Sequence, residues 1–148
     1  MIERCLLLLL LVHAGATLCM TGLIWMVQVV HYPLMASVGA AQFPAYHAGH
    51  SRLITFVVMP LMLVELATAA ALLAMRPGAI PVSWLVVGFA LAVMVWAATF
   101  LLSVPAHSIL AGGFNAEAHA RLVGTNWIRT VLWTLRGGLS LALIYRAM

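Results

Sequence analysis

The sequence predicts an all-α integral membrane protein, a four-helix bundle in a single domain spanning residues 1–148. Three observations predict it. Of 148 residues, 66% are apolar and only 7% charged, against ~25% charged in ordinary soluble chains. Four stretches are each apolar for about twenty residues or more, the length needed to cross a bilayer core of ~30 Å. The polar residues gather at the ends of those stretches. A soluble domain of this length has too little interior to hide so much apolar surface.

The first span is expected at residues 6–30. It opens on "MIERCLLLLLLVHAGATLC", which resembles a secretory signal. Apolar sequence continues to Val30 without a clean small-x-small site followed by polar residues, so it reads as a membrane span. Cys5 and Cys19 both fall there, ~21 Å apart along one helix and too far for a disulfide; buried free thiols are expected. The second span is expected at residues 53–75, with an earlier start near Pro44 if that proline occupies a first helical turn. "MRPGAIP" (75–81) is a short turn. The third span is expected at residues 82–104 and the fourth at residues 122–145. The connections 31–52 and 105–121 are longer and more polar, and no internal repeat stands out.

Seven arginines oppose three acids, with no lysine, for a net charge of +4. These charges are too few and too scattered for a nucleic-acid surface. Arg4, Arg76 and Arg146 fall at one set of span ends, Arg52 and Arg121 at the other. The positive-inside rule then puts both termini and the 75–81 turn in the cytoplasm of a bacterial inner membrane. The two longer loops face outward, and the lipid bilayer is the first partner.

Five of six histidines gather at the outward face. His31 ends the first span, His47 and His50 open the second, His107 ends the third, and His119 lies in the loop before the fourth. His47 and His50 share a face if helix begins before them. Imidazoles at this spacing suit zinc, copper or iron. His31, His47, His50 and His107 are therefore the candidate ligands for a transition metal or haem, with His119 left in solvent. The bland alternative is a set of wet interfacial histidines.

A deeper layer holds His13, Glu65 and Arg136, each ~12–15 Å into the membrane by helical rise. Glu65 and Arg136 are expected to pair, with His13 beside them. They are candidates for proton or redox work, or for a structural ion pair. His13 and His31, and His47 and Glu65, are each eighteen residues apart, five full turns. A polar stripe is expected from the histidines to Glu65, extended by Gln28, Thr99, Ser103, Asn126 and Arg129. Asn126 and Arg129 would orient a substrate oxygen, since together they offer amide and guanidinium donors. Trp127 is expected as an interface anchor and Trp133 as a packing residue.

"VPAHSILAGGFNAEAHARLVGTNWIRT" (104–130) resembles the anthrone oxygenase-like family of small four-helix membrane proteins. Val104, Pro105 and Leu110 match an element that closes the third helix, with His107 where asparagine is usual. Asn126, Trp127 and Arg129 match an element that opens the fourth. "GLIWMVQVVHYPLM" (22–35) more distantly resembles the membrane protoporphyrinogen oxidase and copper-resistance groups. The resemblance implies oxidation of a polycyclic aromatic by oxygen. The extra histidines depart from that pattern and favour a bound metal or haem.

The leading expectation is a membrane oxidoreductase for a lipophilic aromatic or quinone-like molecule. The alternatives are a copper or haem handling protein, to which Met35 near His31 would contribute a soft ligand, and an accessory subunit of a larger membrane complex or homo-oligomer. Nothing suggests a catalytic triad around Ser51 and His50 or a nucleotide-binding glycine loop.

Overall fold

The computed structural model describes residues 2–148, with side chains from residue 4 onward. Four long helices account for nearly all of it, and no strand occurs among the described residues. The first helix covers residues 2–35, the second Phe43–Met75, the third residues 82–110 and the fourth Ala116–Ala147. Each packs against its neighbours in chain order, and the fourth closes the ring against the first. Three of the four are long and apolar enough to cross a membrane, over Arg4–Met35, Phe43–Met75 and Val82–Leu110. The fourth is as long, 32 residues, but carries Arg121, Arg129, Arg136 and Arg146.

All four helices outrun their sequence-based limits at the histidine-bearing end. Pro44 sits in the first turn of the second helix, where its missing N–H costs nothing. The Asn115 side chain accepts from the Ala118 N–H at 2.8 Å and starts the fourth helix, as an N-cap does. His47, His50 and His119 therefore lie on helices. Pro60 is accommodated without a break in the second helix.

The first and third helices share a device that the sequence reading missed. Each carries a five-residue π-helical turn, Val27–His31 and Thr99–Ser103. The Tyr32 N–H bonds to Val27 O and the Val104 N–H to Thr99 O, one residue longer than an α-helical bond. A proline follows each turn at the same offset, Pro33 and Pro105. Its ring crowds the carbonyl four residues back and offers no N–H. Widening the helix just before it relieves that crowding.

The core forms three layers along the bundle axis. The layer at the histidine-bearing end packs Tyr32, Met35, Phe43, Leu110 and Leu122. The middle one packs Met20, Ile24, Met62, Val95 and Trp133. The layer at the end that carries the termini packs Leu10, Leu72, Ile80, Leu85 and Leu143. Leu8, Phe56, Leu101 and Leu135 stay exposed on the outside, as expected of side chains that face lipid. Cys5 and Cys19 are exposed as well. The expectation of buried thiols was wrong, because both point outward from the first helix.

Candidate functional site

The four candidate histidines converge. His31 Nε2 lies 2.9 Å from His50 Nδ1, and His47 Nε2 lies 3.1 Å from His107 Nδ1. The two pairs are neighbours, with the His50 and His107 ring centres 5.7 Å apart. Three helices supply them. The His47 and His50 rings are 6.4 Å apart, one turn along the second helix. Phe43 stacks on His47 at 5.8 Å, and Tyr46 stacks on His50 at 6.5 Å. Among the described residues, no group of three or more His, Cys, Asp or Glu side chains is drawn together as a ready ligand set. The imidazoles bond to one another in pairs instead. His119 stays out of the cluster, but it is not solvated as expected: its Nε2 meets the Tyr32 carbonyl at 2.8 Å.

Tyr32 extends the cluster inward. Its hydroxyl is 3.1 Å from His107 Nε2, so Tyr32, His107 and His47 form one hydrogen-bonded chain. The only cue to Tyr32 in sequence is its place between His31 and Pro33.

Below this layer lies a ladder across three helices. Gln28 Nε2 donates to the Val123 carbonyl, and Asn126 Nδ2 donates to Gln28 Oε1 at 2.8 Å. Arg129 Nη1 donates to Asn126 Oδ1 and to Ser103 Oγ, both at 3.1 Å. Asn126 is fully buried and Arg129 nearly so. Thr99, expected in the stripe, turns its hydroxyl back to the Val95 carbonyl and takes no part in the ladder.

The deepest layer centres on Glu65 and Arg136, which pair at 3.1 Å with both side chains buried. Arg136 Nε also reaches Glu65 Oε1 at 3.3 Å, and Nη1 donates to the Gly88 carbonyl at 2.7 Å. The other carboxylate oxygen accepts the Trp133 indole N–H at 2.9 Å. Trp133 is thus more than packing. Its ring lies 5.2 Å from the Arg129 guanidinium, so one indole joins the upper ladder to the lower ion pair. His13 stands one step aside, with Nδ1 2.8 Å from Thr68 Oγ1 and no bond to Glu65 or Arg136. The Tyr32 hydroxyl stands beside the Arg129 guanidinium, so polar groups run from the histidines to Glu65 without Thr99, with Trp133 as the joint that periodicity did not reveal.

Three cavities reach these layers. One of about 160 Å³ lies between the second and third helices, walled by Ile24, Val58, Met62, Trp96 and Phe100 and reached by Tyr32, His50, His107 and Arg129. It meets the surface where Thr55, Phe100 and Val104 are exposed. A second, more open, touches His47, Ser51 and His107 nearer the loops. The Ser51 hydroxyl is buried there without a partner. A third lies between the first and second helices beside His31, Tyr46 and His50. No family model, curated protein or solved structure matches the chain.

Proposed function

We propose that the chain is a four-span membrane oxidoreductase acting on a lipophilic aromatic or quinone-like molecule, with a transition metal on His31, His47, His50 and His107. The observation that carries this reading is the cavity between the second and third helices. It brings His50, His107, Tyr32 and Arg129 to one apolar chamber that meets the lipid-facing surface. A bilayer-soluble molecule would enter there, with its oxygen toward Arg129, which Asn126, itself outside the chamber, would hold in place.

The histidine cluster suits a single ion. With nitrogen-to-metal bonds of ~2.0–2.1 Å, a tetrahedral site has donor atoms about 3.3 Å apart. The nitrogens within each pair stand at 2.9 and 3.1 Å, and a four-ligand site would require the two pairs to turn toward one ion, since no three such side chains are drawn together among the described residues. Copper or iron fits imidazole donors and has redox chemistry, which zinc lacks. Such an ion would supply electron acceptance or oxygen activation. A haem suits the place less well, because the imidazoles already bond to one another in pairs.

The fourth helix is read as spanning too. Arg129 and Arg136 turn inward, while Ile128, Val131, Leu135 and Leu141 face out. Arginine counts then put the histidine layer at the outer face of a bacterial inner membrane, with both termini cytoplasmic. The likeness of residues 104–130 to the anthrone oxygenase-like family points to the same class of substrate.

The test is metal analysis and a visible spectrum of detergent-purified protein after loading with copper or iron, followed by oxygen uptake with a panel of hydroquinones and anthrones. One ion per chain is expected, and none in the His47→Ala/His50→Ala double variant. A chain that retains no metal, or whose metal content ignores that double variant, would return the protein to the class of accessory subunits.

A further inference from the structure

The two arginines buried within the bundle have different partners. Arg136 has Glu65. Arg129, 6% exposed, has no carboxylate: the one ion pair among the described residues is Arg136–Glu65, and Glu117 is exposed in the first turn of the fourth helix. Its Nη1 donates to the neutral oxygens of Ser103 and Asn126, and the Tyr32 hydroxyl, also neutral, stands beside the guanidinium. Its Nε is buried with no partner. A buried cation without a counter-charge is costly and gains strongly from any anion that reaches it. Arg129 lines the cavity between the second and third helices, and no acidic residue lines that cavity.

We propose that this cavity binds a lipophilic weak acid: a molecule with one ionised oxygen head, carboxylate or phenolate, on an apolar body, taken from the bilayer between the second and third helices. The head sits at Arg129, with Tyr32 and His107 at the same chamber. The body lies against Val58, Met62, Trp96 and Phe100. A cavity of about 160 Å³ takes the head and its first ring or methylenes, and the remainder stays in the gap that opens to lipid. One cation calls for one negative charge. The small chamber favours a free acid over a two-tailed phospholipid, whose phosphate offers the same charge. The inference rests on the preceding functional reading for the place of the substrate, and not for the metal.

The test uses chelator-treated, metal-free protein in phosphatidylcholine nanodiscs. Calorimetry compares naphthoate with its neutral alcohol, and phosphatidylglycerol is added as a competitor. Naphthoate is expected to bind saturably, roughly 30-fold or more tighter than the alcohol, as hydrogen bonds to charged groups allow. Arg129→Met is expected to erase that difference. It removes an uncompensated charge and leaves two acceptors, Ser103 Oγ and Asn126 Oδ1, without their donor, so the two effects offset and it folds with a melting temperature near that of the wild type. Thr55→Trp fills the gap between the helices and is expected to weaken naphthoate binding about tenfold with Arg129 intact. Equal affinity for acid and alcohol, a preference that survives Arg129→Met, or phosphatidylglycerol binding as tightly as naphthoate would each overturn the proposal. Acid binding by a protein that takes up no metal leaves this site standing and removes the oxidoreductase reading. A loaded metal with no acid preference does the reverse.

Discussion

Removing the Glu65 carboxylate tests the energetics of the bundle most directly. Glu65 accepts three hydrogen bonds, two from Arg136 and one from Trp133, and 3% of its surface is exposed. Glu65→Ala leaves a guanidinium of 2% exposure with only the Gly88 carbonyl, and an indole N–H with nothing. Breaking one side of a buried pair costs about 3–5 kcal/mol. The indole adds about 1–3 kcal/mol for an orphaned donor. Membrane double-mutant cycles give smaller values, because the unfolded chain in lipid also finds partners. A loss of roughly 3 kcal/mol is therefore expected. Glu65→Leu combined with Arg136→Met removes both charges and keeps the volume. It still leaves the Trp133 N–H without its acceptor, so it is expected about 1–2 kcal/mol below wild type, less than the loss from removing the carboxylate alone, since apolar isosteres often match a buried pair. Unfolding of bicelle-embedded wild type, Glu65→Leu, Arg136→Met and the double variant, followed by circular dichroism, yields the four free energies of the cycle. If the double variant loses as much as the two singles summed, the pair is not coupled as the geometry requires.

Four further outcomes follow from the structure. In a cysteine-free background, cysteines placed at Ala40 and Phe114 should react with an impermeant thiol reagent from outside, whereas one at Gly78 should not; the reverse pattern would invert the topology. Gly137→Ala should cost about 1 kcal/mol, because its Cβ would sit 3.0 Å from Thr21 Oγ1, while neighbouring Gly138→Ala, with open space around it, should be neutral or stabilising by about 0.5 kcal/mol; thermal melts of the two variants separate the cases. Metal affinity, titrated by competition with a chelator, should fall as pH falls, because an imidazole that takes a proton has no lone pair for an ion; a flat profile would exclude histidine ligation. Asn126→Ala should cost about 2 kcal/mol, since it leaves Gln28 Oε1 without its donor and strips Arg129 of one acceptor, and it should broaden the melt.

Much of the arrangement was legible because polar residues are rare in this chain. A buried charge or imidazole is costly without a polar partner, so depth along a helix was enough to pair Glu65 with Arg136 and to gather His31, His47, His50 and His107. Helix ends were placed less well. The polar outward turns look like loop, yet Pro44 and Asn115 start helices there and carry the spans past the apolar limits. Trp133 was read as packing because an indole's N–H cannot be aimed from sequence. His13 was placed at the right depth, but its rotation about the helix took it to Thr68 instead of the ion pair. The outward Cys5 and Cys19 failed for the same reason: apolar sequence all round the first helix leaves no periodicity to show which side faces the bundle.

The paired π turns bear on how this chain can change in length. A π turn is an α-helix holding one residue too many, so it marks the place where a residue can be withdrawn with the least disturbance. Deletion within Val27–His31 or Thr99–Ser103 would let the helix relax to ordinary winding, with the lipid-facing pattern on either side kept in phase. The same deletion one turn away would rotate every later side chain by about 100° and swing polar groups toward lipid. The surplus residue in each helix also lets His31, at the end of one turn, and His107, beyond the other, be aimed independently of the packing below. Chains of this architecture could therefore re-aim their histidines through single-residue insertions and deletions at two fixed points while the ion pair beneath stays where it is.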